Sequence, residues 1–168
     1  MLGLPQGEVF LVDYTPEWAA EYENESASIT EIVGRYIKEI HHIGSTAVPG
    51  LSAKPIIDMA IVLFKYDDGF RCVDPLKFIG YRHRIIPDLP DRHYFSKGNP
   101  RTHQIHMYGP ASRYFHEQIT FRDMLRSVPE ILRDYQQLKL DLSQKHGKNK
   151  LAYADAKTTF IKSILNAT

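Results

Sequence analysis

The spacing of apolar residues changes period several times along this chain, and each change marks an element. In residues 8–14, Val9 and Leu11 share one side of an alternating stretch, the pattern of a short strand, which Thr15 and Pro16 stop. Thr15 can cap a helix, and Pro16 suits its first position. Trp18, Tyr22, Ser26, Ile29 and Val33 then follow at helical spacing with acids on the opposite face, until Gly34 ends the run. This predicts an amphipathic helix with an acidic outer side. Residues 36–43 read as extended. After a turn rich in Gly, Ser and Pro, residues 55–63 are almost continuously apolar, as in a strand buried on both faces.

A helix over 70–80 that ends at Gly80, a strand over 81–86 and a polar loop through Pro87, Pro90 and Arg92 come next. The loop is a candidate ligand flap. Residues 93–97 and 101–108 read as two strands joined by a tight turn at Gly98-Asn99-Pro100, a β-hairpin. Helices follow. Phe115, Ile119, Phe121 and Leu125 supply one apolar face, Ser127 and Glu130 match a capping box around Pro129, and Ile131, Tyr135, Leu138 and Leu142 continue the pattern until Gly147 breaks it. A last helix starts near Asn149 and carries Tyr153, Phe160, Ile161, Ile164 and Leu165. The order predicts an α+β fold, with a mixed sheet backed by helices and a helical C-terminal third closing one side.

The 168 residues suit one domain over 1–168, and with 43% hydrophobic and 24% charged residues neither disorder nor a fibrous repeat is expected. A lone cysteine, Cys72, cannot form an internal disulfide and points to a reducing compartment, the cytoplasm by default. It lacks a reactive motif and reads as an inert thiol. No run of about 18 apolar residues predicts a membrane span, and the first ten residues lack the pattern of a secretory signal. The net charge of +1 hides an asymmetry. Residues 1–33 hold seven acids and no Lys or Arg, so the remainder carries 21 basic residues against 13 acids. An anionic ligand would settle there. The basic residues are dispersed rather than striped, which disfavours extended nucleic acid and favours a small phosphate-bearing ligand.

Candidate chemistry concentrates in residues 41–58, HHIGSTAVPGLSAKPIID. The segment leaves a strand, turns through glycines and hydroxyls, and re-enters a buried strand carrying one carboxylate. Gly44 lets backbone approach a ligand, Ser45 and Thr46 can offer hydroxyls and amides to phosphate oxygens, and Lys54 can add a counter-charge. Asp58 in an apolar strand needs a cation or several donors to meet it. Arg82, Arg84, Arg92, Lys97 and Arg101 read equally as a basic rim for a triphosphate or as a solvated face. Arg122, Asp123 and Arg126 read first as a structural pairing.

The stretch HHIGSTAVPGLSAKPIIDMAIVL, with FRDMLR and AYADAKTTFIKSIL further on, closely resembles the GrpB family of small bacterial proteins, and the resemblance covers nearly the whole chain. That family belongs by fold to the nucleotidyltransferase superfamily. The resemblance implies a Gly-Ser turn that grips nucleotide phosphates, here Gly44-Ser45, and a carboxylate on the next strand that holds divalent metal, here Asp58. The superfamily's second carboxylate would fall at position 60, on the same strand face, where this chain has Ala60; a third would come from the segment 103–108, which contains no acid. Related sequences resemble His-His-Leu-His where this chain has His103-Gln104-Ile105-His106.

Asp58, His106 and His42 are therefore candidate ligands for one ion, Mn²⁺ or Zn²⁺ suiting imidazole plus carboxylate better than Mg²⁺. The alternative is that Asp58 and His106 satisfy each other, or that Asp58 ties down the Gly44-Ser45 turn. Two functions compete. In the first, a metal-dependent nucleotidyltransferase moves a nucleoside monophosphate to an unknown acceptor, with Asp58 catalytic and Gly44, Ser45, Thr46, Lys54, Arg92 and Arg101 on the phosphates. In the second, a non-catalytic module keeps the phosphate turn without the full carboxylate set. GrpB-like domains fused to dephospho-coenzyme A kinase point the second toward coenzyme A or nucleotide-linked partners.

Overall fold

The computed structural model describes residues 1–146 and 149–167. The elements run α1 (Glu17–Val33), β1 (Ile37–Ile43), β2 (Ile57–Leu63), α2 (Gly69–Phe78), β3 (Tyr81–Arg84), β4 (His93–Lys97), β5 (His103–Tyr108), α3 (Arg113–Ser127), α4 (Pro129–His146) and α5 (Lys150–Asn166). The five strands form one mixed sheet in the order β1-β2-β5-β4-β3, with β2 and β5 parallel and the other neighbours antiparallel. This is the α+β architecture the residue pattern predicts. Central β2 lies between β1 and β5, which explains its continuous apolar run: both its edges and both its faces are covered, and only Asp58 along it escapes full burial.

Period-2 alternation divides the sheet into two unlike faces. On one, Ile57, Met59, Ile61, Leu63, Ile105, Met107 and Phe95 meet Trp18, Ile29 and Val33 of α1 and Leu76 of α2 in the main core. On the other, Ile43, Ala60, Val62 and Tyr108 pack under Phe115 of α3. The turn after β1 brings Val48 and Leu51 against Phe121, Leu125 and Tyr135, so α3, α4 and α5 close over one end of this second face and leave the other end open.

Several local expectations change. Residues 8–14 form no strand; Val12 makes a single bridge to Ala53, and Leu4 one to Arg101. The alternation of Val9 and Leu11 reflects packing instead, with Val9 buried beside Leu142 and Tyr153. Thr15 does accept the Glu17 amide at 3.3 Å, and the helix begins at Glu17, one residue past the proline. The acidic side of α1 is not wholly outward, since Glu25 is buried, accepting from the Tyr81 hydroxyl and the Lys97 ammonium, both at 2.8 Å. Ser127 ends α3 and donates to the Asp123 carbonyl at 2.7 Å, so no capping box opens α4. Asn149 accepts the Ala152 amide at 3.1 Å at the start of α5, and the expected breaker Gly147 lies outside the described residues. No helix among the described residues is long and apolar enough to cross a membrane.

Candidate phosphate-binding pocket

Gly44 leaves β1 with φ +73° and ψ −173°, a conformation that favours glycine, and Ser45–Ala47 make one 3-10 turn. A Cβ at Gly44 would lie 3.0 Å from Asp58 Oδ2, so the missing side chain is what lets the turn pass the carboxylate. The turn is locked from outside. Arg126 donates twice to the Ala47 carbonyl, at 2.9 and 2.8 Å, and Arg122 donates to the His42 carbonyl at 3.1 Å while pairing with Asp123 at 2.8 Å. The FRDMLR segment thus clamps the end of β1 and the turn behind it.

Thr46 is committed to the scaffold. Its hydroxyl donates to the Ile56 carbonyl at 3.2 Å, which leaves its oxygen to accept from His42 Nε2 at 2.9 Å. His42 stacks on Tyr22 of α1 at 4.8 Å, and burial pulls its pKa down to about 4, so it is neutral near pH 7. In register, Ile43 faces Asp58 and His42 faces Met59. His42 therefore points to the closed face, away from Asp58's side of the sheet.

The remaining candidates converge. Gly44, Ser45, Thr46, Lys54, Asp58, Arg92 and His106 all line one cavity of about 310 Å³, at the size where small-ligand sites begin. The Asp58 side chain is 27% exposed, with Oδ1 3.7 Å from His106 Nε2. Arg92 donates to His106 Nδ1 at 3.2 Å, which assigns the ring proton to Nε2, facing Asp58. A nitrogen carrying a proton offers no lone pair to a metal. Ala60 stands directly opposite His106 and brings no oxygen. The imidazole–carboxylate ion site is thus not assembled as arranged; of the two carboxylates lining this pocket, Glu117 is paired with Arg113 at 3.0 Å and Asp58 is the one beside the Gly44 turn.

Two lysines absent from the sequence-derived set complete the cavity. Lys139 of α4 and Lys157 of α5 line it beside Lys54, so among the described residues three lysines, Arg92 and Arg122 meet two acids in the lining, Asp58 and Glu117. Lys139 is 1% exposed and donates to the Ser52 carbonyl at 2.6 Å. Burial, with Lys157 and Lys54 adding repulsion, holds its ammonium well below the ordinary lysine range. Lys54 and Lys157 both lie over the Tyr153 ring, at 4.8 and 5.4 Å. A signal for both was present. Lys139 falls four residues after Tyr135 and three before Leu142, and Lys157 four after Tyr153 and three before Phe160, so each sits on an apolar helical stripe where a solvated lysine has no place.

The five-residue basic rim splits. Arg92 joins the pocket, with its guanidinium 4.9 Å over Tyr108; Lys97 turns to the closed face and pairs with Glu25 at 2.8 Å; Arg82, Arg84 and Arg101 line a separate groove. On the closed face, Glu21, Glu25 and His103 bring ligand-type atoms within 4.8 Å of one another, but Glu25 is already met by Lys97 and Tyr81.

The family model described as GrpB protein matches residues 8–167. The chain belongs to the GrpB family. It is 31% identical over 172 residues to glutamate-rich protein GrpB of Alkalihalophilus pseudofirmus, covering 99% of both chains. It is 34% identical over 160 residues to UPF0157 protein YqkA of Bacillus subtilis, where it spans only 47% of that relative's length. The crystal structure of conserved protein GrpB from Enterococcus faecalis superimposes with a TM-score of 0.79 at 29% identity, covering 93% of this chain and 99% of that one. The Cid1 poly(U) polymerase with MgGTP bound matches 80% of this chain and 44% of its own at a TM-score of 0.55 and 11% identity, a likeness of fold alone. This GrpB chain therefore carries the nucleotidyltransferase-like fold.

Proposed function

We propose that this GrpB chain binds a nucleotide polyphosphate in the Asp58 pocket, with the phosphates between the Gly44–Thr46 turn and the Lys54, Lys139 and Lys157 ammonium groups. The convergence of three lysines from three distant segments on one cavity beside that turn carries the proposal. Cationic side chains gathered on one concave site concentrate positive potential there, and a polyanion is its complement. The Cid1 structures, one with MgGTP bound and one with the UTP analog UMPNPP, lend a precedent for nucleotide on this fold.

A metal fits in a limited way. Mg²⁺ usually takes one or two carboxylates and completes its shell with waters and substrate phosphates, so an ion entering with a triphosphate would find Asp58 as its ligand in this pocket, where it would offset phosphate charge. Lys139 and Lys157 neutralise the remaining phosphate oxygens, Arg92 holds His106 in its Nε2–H tautomer, and Gly44 keeps the turn close to the carboxylate.

A second reading, transfer of a nucleoside monophosphate from a triphosphate to an acceptor, is favoured by one observation: Asp58 keeps 27% of its side chain exposed in the pocket, with His106 no nearer than 3.7 Å. Ala60 and the acid-free β5 leave two-metal chemistry short of ligands. Thermal shift with the four nucleoside triphosphates, coenzyme A and dephospho-coenzyme A, each with and without Mg²⁺, Mn²⁺ and Zn²⁺, tests binding. A ligand at about 100 times its Kd stabilises by roughly 2.7 kcal/mol, enough to read. The proposal expects stabilisation by a triphosphate, and no shift with any of these ligands would remove it. Release of pyrophosphate, abolished in Asp58→Asn, would establish the transfer reading.

A further inference from the structure

The open sheet face continues beyond the pocket. In register, Asp58 lies beside Gln104, Gln104 beside Ser96, and Ser96 beside Arg82; one row over, Ala60 lies beside His106, then Tyr94, then Arg84. These side chains share one face, so β3 presents two arginines to the same surface on which Asp58 stands. Arg101, just before β5, joins them, and the three line a polar groove of about 380 Å³ with Ser96, Asn99 and the Gly98 backbone. No acid lines the groove, and no ion pair joins Arg82, Arg84 or Arg101 to a carboxylate among the described residues. Three like charges from two chain segments facing one concavity focus a positive potential there, which draws an anion in.

The groove is also linked to the pocket. The Tyr94 hydroxyl donates to Gln104, the register neighbour of Asp58, and the Arg101 charge acts on the same Tyr94 hydroxyl, favouring its ionised form against burial. Burial raises the Tyr94 pKa, so at neutral pH the hydroxyl keeps its proton. A group held by the arginines would therefore lie on the Asp58 side of the sheet, with Tyr94 and Gln104 between.

We propose that Arg82, Arg84 and Arg101 form a second anion subsite, which takes the phosphomonoester of a small molecule bound alongside the nucleotide. The chemistry is specific. Guanidinium forks match the oxygens of a phosphate dianion with paired N–H donors, and three of them suit one terminal phosphate better than a single diester charge. The placement beside the Asp58 pocket rests on the nucleotide reading, but the subsite itself does not.

The test uses the whole protein and ribose 5-phosphate as probe, followed through the Nε–Hε resonances of the arginines in ¹⁵N-correlated spectra, with ribose as control and a non-hydrolysable triphosphate present or absent. The expected result is saturable shifts at Arg82, Arg84 and Arg101 with ribose 5-phosphate and none with ribose. A combined Arg82→Ser and Arg84→Ser variant should weaken the probe tenfold or more while triphosphate affinity changes less than twofold. Both side chains are exposed, so folding should survive. Unchanged probe affinity in that variant would overturn the subsite, as would shifts confined to Arg92. A 5′-phosphorylated oligonucleotide that binds the groove far more tightly than ribose 5-phosphate would overturn the small-molecule class. Loss of triphosphate binding alone, with the probe still bound, would count against the nucleotide pocket and leave the subsite supported.

Discussion

The two faces of β2 are built from alternate residues of one strand yet do opposite things. On the closed face Ile57, Met59, Ile61 and Leu63 are fully buried beneath α1 and α2. On the open face Asp58 keeps 27% of its side chain exposed, while Ala60 and Val62 pass under α3. Stability and chemistry are thus divided by a single-residue step. The closed face of β2 is core along its whole length, whereas the open face is core only at Ala60 and Val62 and turns polar at Asp58.

The sharpest way to break this comparison is at adjacent residues. Met59→Ala should lower stability by about 2–5 kcal/mol, since the surroundings of a fully buried side chain collapse only partly into the cavity. Asp58→Asn should stay within about 1 kcal/mol in the same denaturant titration. If the two variants unfold alike, the division of labour is wrong.

Acid should strike the closed face next. His42 titrates near 4 in the folded chain because burial opposes its charge, against about 6.5 unfolded. The unfolded state then binds more protons between those values, so stability falls as pH drops through 6.5 and levels off below 4, a loss of roughly 3 kcal/mol from this group. His42→Gln should flatten the pH dependence of unfolding in that window. An unchanged slope would remove His42 as its source.

Gly44→Ala joins the faces. At φ +73° with Asp58 Oδ2 3.0 Å from the new Cβ, the substitution should cost about 1–3 kcal/mol and weaken triphosphate binding with it. A variant that binds normally would show that the turn does not have to approach the carboxylate.

The smallest effect concerns a proton. Lys139, held below the ordinary lysine range by burial, should take one up when a polyanion enters. Calorimetry in buffers of different ionisation enthalpy should show proton uptake for the native chain above the lowered pKa, and none for Lys139→Met.

Much of this division is legible in the residues themselves. The unbroken apolar run of 55–63 reports a central strand because both faces are covered, and Gly44, Ser45 and Asp58 stand out because glycine, hydroxyl and carboxylate interrupt apolar neighbours. What local pattern misleads about is where covering comes from elsewhere. Residues 8–14 alternate like a strand, yet Val9 is buried by Leu142 and Tyr153, more than a hundred positions away. His42 and Asp58 look like co-ligands in a short motif, and the register of β1 against β2 sends them to opposite faces. Lys97 reads as a member of the basic rim until its strand parity turns it toward Glu25. Lys139 and Lys157 stand on apolar stripes, but only the packing of α4 and α5 over the segment after β1, with Lys139 on Ser52, brings them to the cavity beside the Gly44 turn.

The central claim is that protein ammonium groups, rather than a pair of metal ions, offset the phosphate charge in the open-face pocket. Calorimetric titration with a nucleoside triphosphate, with Mg²⁺ and with EDTA, on the native chain and on a Lys139→Met, Lys157→Met double variant, tests it most directly. The account predicts that chelation changes Kd by less than about tenfold, roughly 1.4 kcal/mol, and that the double variant loses binding under both conditions. Binding that disappears with EDTA and survives loss of the two lysines would contradict it.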